Sequence, residues 1–247
     1  MQKLFHRILY RLLPLGGYLR VVSSLFFVWQ RLGIGRRSEA LEYVYHLDRL
    51  VRKGDTAIDI GANLGYYSRT LSRLVGPEGR VLAVEPMPPV LEVLRRNIRR
   101  CKNIEILPCA LGQEEGEITM ANTTVAATGY FGTGQNFIRE TSAAQEQSAK
   151  AIEYRAPMRR GSELFGGLER IDFIKCDVEG YEWHIMQEIR PLLERHRPTV
   201  LIETGGENRQ RIIELFTSLG YSGYTLAEGR EVALVPESHK DIIFRPL

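Results

Sequence analysis

From Thr56 onward the chain alternates short β-branched apolar runs with longer amphipathic ones, and no other feature narrows its fold so far. The spacing predicts a strand at 56–61, a helix at 66–75, a strand at 80–85, a helix at 88–101 and a strand at 104–111. After an interruption the pattern resumes with the strand "IDFIKCDV", the helix "YEWHIMQEIRPLLERH", the strand "TVLIET" and the helix "NRQRIIELFTSLG". Two closing runs with no helix between them, "YSGYTLA" and "DIIFRP", read as an antiparallel pair at a sheet edge. Strands separated by helices form βαβ units, so the expected class is α/β, with a mostly parallel sheet covered on both faces. At 247 residues and 44% hydrophobic content the chain is large enough to bury such a core.

The first 38 residues are of another kind. They hold seven bases, Lys3, Arg7, Arg11, Arg20, Arg31, Arg36 and Arg37, and no acid, while the other 209 residues carry 26 bases and 30 acids. The positive charge belongs to this arm, and a mildly acidic body without a basic stripe argues against nucleic acid as a partner. Arg11, Pro14, Arg20 and Arg31 break the arm's apolar stretches, so it lacks the roughly 18–20 apolar residues that span a bilayer. No small-residue cleavage site of a secretory signal follows it. Two readings stand: a segment lying in the interface of an anionic membrane, or amphipathic helices packed on the body or forming part of a lid. Next comes "SEALEYVYHLDRLV", read as a helix with Leu41, Tyr45 and Leu50 on its apolar side. The expected division is a helical arm at 1–50 and a catalytic domain at 51–247.

Cys101, Cys109 and Cys176 show no CxxC spacing, and the last two lie in apolar strand-like runs, as small core residues do. That usage points to a reducing compartment, hence a cytoplasmic location, peripheral at the inner face of the membrane if the arm binds it. The five histidines show no ligand spacing, so no zinc is expected. Periodicity lapses over 113–160, a Gly-, Thr- and Gln-rich segment in which "GEITMA" and "AIEYRAPM" read as strands flanking a long loop. Loops of that length are commonly functional, and this one is read as a substrate-facing insertion.

Ligands of open parallel sheets bind outside the carboxyl ends of the strands. At those ends stand Asp59-Ile60-Gly61, Glu85-Pro86, then Lys175, Asp177 and Glu179, and finally Glu203. One acid caps a helix; acids at four strand ends of one sheet point to one polar pocket. In "AIDIGANLGYYS", Gly61 and Gly65 leave room for a ligand near the backbone, and the helix starting near Tyr66 offers free N–H groups. Glu85, 20 residues beyond Gly65, is placed to accept ribose hydroxyls. The spacing is GxxxG and not the dinucleotide GxGxxG. A nucleoside with a charged tail fits, as S-adenosylmethionine does.

"AIDIGANLGYYS", "VLAVEPMP", "LPCALG" and "IDFIKCDVEGYE" together resemble the FkbM-type family of S-adenosylmethionine-dependent methyltransferases, from about Lys53 to Leu247. The resemblance implies a Rossmann-like class I methyltransferase fold, with a seven-stranded mostly parallel sheet and an antiparallel last strand. It implies a cofactor site in which Asp59, Gly61, Asn63 and Gly65 surround the methionine part, with Ala62, Tyr66, Tyr67 and Ser68 also among the cofactor-binding residues. Glu85 and Pro86 would then lie at the ribose, Cys109 and Ala110 at the adenine, and Asp177 between cofactor and acceptor. "RRGSEL" departs from the family pattern, and Gly161 and Ser162 leave no acid there.

Transfer to a hydroxyl requires a base, and Asp177 is the candidate, supported by Glu179, Glu203 and Lys175. Lys175, Asp177 and Glu179 share a parity and face one side if the chain stays extended. Lys175 also reads as half of a buried ion pair, His184 as a packing residue, and Asp177, Glu179 and Glu203 as an alternative divalent-ion site. Tyr66, Tyr67 and Tyr181 either line the acceptor cleft or pack in the core. The leading expectation is an O-methyltransferase for a sugar, glycolipid or related metabolite. A polyketide or peptide acceptor, or a noncatalytic membrane-associated scaffold of the same fold, are the alternatives.

Overall fold

In the computed structural model, which describes residues 2–36, 38, 41–138, 151–235 and 238–247, the chain starts with α1 (Gln2–Leu12), α2 (Leu15–Arg31) and α3 (Glu42–His46). The alternating part follows as β1 (Thr56–Ile60), α4 (Tyr66–Val75), β2 (Arg80–Val84), α5 (Pro88–Ile98) and β3 (Ile104–Leu107). The insertion contributes β4 (Ala110–Leu111), β5 (Gly116–Asn122), α6 (Thr124–Thr128), β6 (Asn136–Ile138) and β7 (Ile152–Arg159). Alternation returns with α7 (Gly161–Phe165), β8 (Phe173–Cys176), α8 (Glu182–Glu188), α9 (Arg190–His196), β9 (Thr199–Ile202) and α10 (Gly206–Ser218). The chain finishes with β10 (Tyr221–Ala227), β11 (Arg230–Ala233) and β12 (Ile242–Pro246).

The main sheet has the order β11-β10-β12-β9-β8-β1-β2-β3. Strand parity assigns its faces. Ile58 and Ile60 join Leu82, Val84, Ile174 and Cys176 in a core under α8, α9 and α10, whereas Ala57, Val81 and Phe173 pack with Leu71 and Val75 of α4 and with Tyr43, Val44 and Leu47. Asp59, two residues from Ala57, therefore lies on the α4 face, and its register partner is Lys175.

Seven strands follow the expected plan, and β11 folds onto β10 as an eighth. The final pair does not form the edge: β12 runs antiparallel between β9 and β10. The run 104–111 is not one strand. Pro108 has no N–H for a ladder, and after it the chain leaves the main sheet and pairs Ala110 and Leu111 with β7 in a second sheet of order β4-β7-β5-β6. Pro191 likewise splits the predicted helix after Tyr181 into α8 and α9. The helix read at 38–51 is one α-helical turn and a 3-10 turn; it buries Tyr43, Val44, Leu47 and Leu50, with Leu41 and Tyr45 only half-buried.

"GEITMA" and "AIEYRAPM" become β5 and β7, antiparallel neighbours from Gly116↔Met158 to Asn122↔Ile152. Residues 139–150 of the insertion lie outside the described residues. The arm packs on the body: Tyr18 and Leu19 of α2 share a core with Leu64, with Met87, Val90 and Val93 at and in α5, and with Met120 and Phe131 of the insertion. No helix among the described residues is long and apolar enough to cross a membrane.

Candidate functional site

The carboxyl ends of β1, β2 and β8 converge on one cleft. Asp59 is fully buried; Ser68 Oγ of α4 donates to its Oδ2 at 2.5 Å, and Lys175 Nζ lies 3.9 Å from its Oδ1, which has no hydrogen-bond partner. Burial raises the Asp59 carboxyl, against the pull of Lys175 and Ser68. Lys175 is buried too, with Nζ donating to Asp177 Oδ2 at 2.9 Å and to the Gly61 carbonyl at 3.3 Å, over the ring of Tyr67. Burial works to lower its pKa, yet Asp177 and Asp59 outweigh it, and the ammonium is held above its ordinary range. The ion pair expected of Lys175 is thus formed, with Asp177 as its direct partner.

Burial also works to raise Asp177, but the Lys175 charge and a hydrogen bond from Glu203 hold it below the usual carboxylate range. Glu203, at the exposed rim beyond β9, is the protonated member of that pair: burial of its carboxyl and then the Asp177 charge push it up to about 8. Asp241 completes the cluster, raised to about 6 by burial and by Asp177. Glu179 does not continue the strand parity. It adopts φ 57°, after β8 has ended at Cys176, and its carboxyl reaches toward Gly134; burial and Asp177 push it up to about 7. Among the described residues no three histidine, cysteine or acidic side chains are grouped to hold a metal ion.

Glu85 is buried and accepts from the Asn63 N–H at 2.8 Å and the Met87 N–H at 2.9 Å, one on each carboxylate oxygen. Burial raises it to about 7 even against those two donors. It lines a polar cavity of about 60 Å³ together with Asn63, Asp177, Glu179 and, from the insertion, Thr133 and Asn136. Beside it lies an apolar cavity of about 30 Å³ whose walls include Ile60, Val84, Cys109, Ala110, Ile138 and Tyr181. Gly61, Pro86, Met120 and Val178 border both.

The glycines owe their places to protein contacts. A Cβ on Gly61, at φ +77°, would stand 1.8 Å from the Asp177 carbonyl oxygen, and one on Gly65, at φ +88°, would stand 2.9 Å from Leu94 Cδ1. Gly61 brings the β1 loop against the β8 loop, and Gly65 seats the start of α4 on α5. Ala62 packs with Leu91 and Leu94 of α5. Tyr66 turns to the arm, 4.0 Å from Phe26 between ring centroids, while Tyr67 lies under Lys175. His184 stacks on Tyr181. Ser162 donates through its N–H to Glu188 at 3.0 Å, at the junction of α7 and α8, apart from the cleft.

Five contributors were not picked out from the sequence. Asp241 precedes a strand, where no polar end was sought. Glu182, buried, accepts from the Val178 and Gly180 N–H groups at 3.1 and 3.0 Å and so shapes the turn that carries Glu179; its signal was the second acid of "DVEGYE". Met120, Thr133 and Asn136 come from the insertion, whose pairing is too distant in sequence to read.

Residues 59–222 match the methyltransferase FkbM domain. Methyltransferase sdnD of Sordaria araneosa is 27% identical over 154 residues, covering 53% of this chain and 59% of that protein. A stretch of 52 residues is 36% identical to protein-L-isoaspartate O-methyltransferase of Methanothrix thermoacetophila, covering 21% of this chain and 25% of that protein. The chain thus spans 59% and 25% of these two relatives' lengths. Among solved structures, methyltransferase FkbM from Methylobacillus flagellatus KT superposes with a TM-score of 0.51 at 15% identity, over 80% of this chain and 45% of that one, a likeness of fold. With more than half of its residues matched by the domain, and with the strand order and polar strand ends described above, the chain belongs to the FkbM methyltransferase domain family.

Proposed function

We propose that this protein transfers a methyl group from S-adenosylmethionine to a hydroxyl of a sugar, glycolipid or related metabolite. The observation that carries the reading is the pair of cavities meeting at Gly61 and Pro86, one apolar beside Cys109 and Ala110, the other polar beside Glu85 and Asp177. Apolar and polar compartments in that order suit a purine, a ribose and a charged tail. Glu85 retains acceptor capacity after its two backbone contacts, because a carboxylate offers about four lone-pair sites. Both cavities are small, so a nucleoside takes its place as the wall around Thr133 and Asn136 moves away from Asn63 and Glu179. The resemblance to FkbM-type enzymes supports the acceptor class.

The bound cofactor would supply an electrophilic methyl group; the chain's own residues align the acceptor and handle its proton. Alignment of this kind contributes up to roughly 7–11 kcal/mol in well-oriented systems. Asp177, kept ionised by Lys175, accepts the acceptor's O–H. The proton of that hydroxyl would pass to the Asp177–Glu203 pair, which is a competent base once Glu203 has released its own proton. Asp59 touches neither cavity and acts through Lys175 and Ser68.

Calorimetric titration with S-adenosylmethionine tests the donor site, with Glu85→Gln and Asp177→Asn alongside. Saturable binding by the wild type, weakened at least tenfold in Glu85→Gln, supports the reading and leads to a radiolabelled-methyl screen of glycans and glycolipids. A folded wild type that does not bind defeats it.

A further inference from the structure

Two cavities larger than those of the cleft lie away from it. A groove of about 930 Å³ opens between the C-terminal half of α2, α4 and the segment after α5, and a second of about 290 Å³ adjoins it along α5. Arg31, Arg69, Arg73, Arg100 and Lys102 line the first, and Arg96 and Arg99 extend the charge into the second, so the fold gathers on the body a basic stripe that its sequence does not show. No aspartate or glutamate lines either. Arg80, at the rim, is paired with Glu105, and Arg69 rests on the Phe27 ring at 4.5 Å. Among the described residues Arg31, Arg73, Arg96, Arg99, Arg100 and Lys102 have no carboxylate partner; so many unpaired like charges in one groove repel one another and gain when an anionic surface covers them.

The apolar side chains beside the groove identify that surface. Arg31 ends α2, and next to it Trp29 is 46% exposed, Leu32 69% and Ile34 49%, with Val28 similarly bare. Aromatic and aliphatic side chains flanking basic ones suit the headgroup and acyl boundary of a bilayer, where the rings sit at headgroup level and long basic side chains reach the phosphates. A nucleic acid would leave those side chains in water. Helix α1 of the same arm repeats the pattern, with Leu4, Phe5, Ile8 and Leu12 exposed beside Lys3, Arg7 and Arg11.

We infer that the arm and the body together form a docking surface for an anionic lipid bilayer, built from the exposed apolar end of α2 and the basic groove of α4 and α5. The surface shares no lining residue with the cleft. The inference is independent of which acceptor, or which donor, the cleft takes.

Deleting the arm is a poor test, because Tyr18, Leu19 and Phe27 belong to the core. The full-length chain is instead floated with vesicles of phosphatidylcholine, with and without phosphatidylserine, at low and high salt. Binding to the anionic vesicles alone, falling as salt rises, is expected. Arg96→Gln combined with Arg100→Gln lowers the partition coefficient by about 25-fold, on about fivefold per surface charge, and Trp29→Ser lowers it separately. All these side chains are exposed, so circular dichroism and Tm stay at wild-type values. Partition unchanged in the variants, or no flotation of the folded wild type, overturns the proposal. So does saturable binding to a homopolymeric RNA by a protein that ignores vesicles.

Discussion

Asp59 on β1 and Lys175 on β8 are register partners in the middle of the main sheet, their charged atoms 3.9 Å apart on a face covered by α4. Two carboxylates, Asp59 and Asp177, thus depend on one buried ammonium. Lys175→Met keeps the side chain's length and removes the charge, which leaves the carboxylates uncompensated. The expected loss is about 3–5 kcal/mol, read as a fall in Tm of roughly 10 °C. Lys175→Met unfolding at the wild-type urea midpoint would contradict this.

Glu85 sits near half-protonation at neutral pH, since burial raises it to about 7. Ribose hydroxyls donating to it would stabilise the carboxylate and lower that value, so S-adenosylmethionine binding releases a proton and tightens as pH rises through 7. Calorimetry at pH 7 in buffers of different ionisation enthalpy measures the release. Glu85→Gln abolishes it.

Glu203 is raised to about 8, and on the proposed reading it governs the base. If so, the initial rate of methyl transfer rises with pH to a plateau above about 8, and Glu203→Gln removes that limb. Asp177→Asn lowers kcat by roughly 10²–10⁴-fold while leaving cofactor binding within a few-fold. A flat pH profile for the wild type would assign the proton to another group.

The raised acids also make stability pH-dependent. Glu85, Glu179 and Glu203 hold protons in the folded state above 4.5, where the unfolded chain has begun to lose them. Their contribution is present below that point and is lost as pH rises through about 7 to 8. Glu231, lowered to about 2 chiefly by Arg245, acts in the opposite sense, and only in acid. Thermal melts of the ligand-free protein at pH 5.5 and 8.5 should differ by about 5 °C, with the higher Tm at the lower pH.

Gly61→Ala and Gly65→Ala separate two kinds of close approach. At Gly61 the new methyl meets backbone, the Asp177 carbonyl, at 1.8 Å; at Gly65 it meets only side-chain ends, Leu94 Cδ1 at 2.9 Å and Ile98 Cγ2 at 3.1 Å. Gly61→Ala is expected to cost roughly 3 kcal/mol or more and Gly65→Ala about 1–2, the strain of positive φ. Equal urea midpoints for the two variants would refute the distinction.

How far the sequence reaches is clear from these same residues. Asp59, Glu85 and Asp177 were legible because parallel strands deliver their last residues to one edge, and short apolar runs mark where each strand stops. Asp241 was not: it stands just before β12, and only the reversal of that strand brings its beginning to the edge where the others end. The parity argument linked Lys175 and Asp177 correctly and failed at Glu179, where Glu182 draws the backbone into a turn. Gly61 and Gly65 were recognised as special, but a sequence does not say whether ligand or protein comes close. The second sheet was half visible, its two long strands by composition, its pairing across the insertion by nothing local.

That second sheet joins the first through the short passage at Pro108 and Cys109, and the apolar cavity lies between the two. The strands bearing Asp59, Glu85 and Asp177 are on one side of the gap, Met120 and Ile138 on the other. The width of the gap is therefore adjustable from the insertion alone. A larger or smaller side chain at Ile138 resizes the receptacle while Glu85 and Asp177 stay on their own scaffold, so the fit of the cavity and the polar side chains beside it are free to change separately.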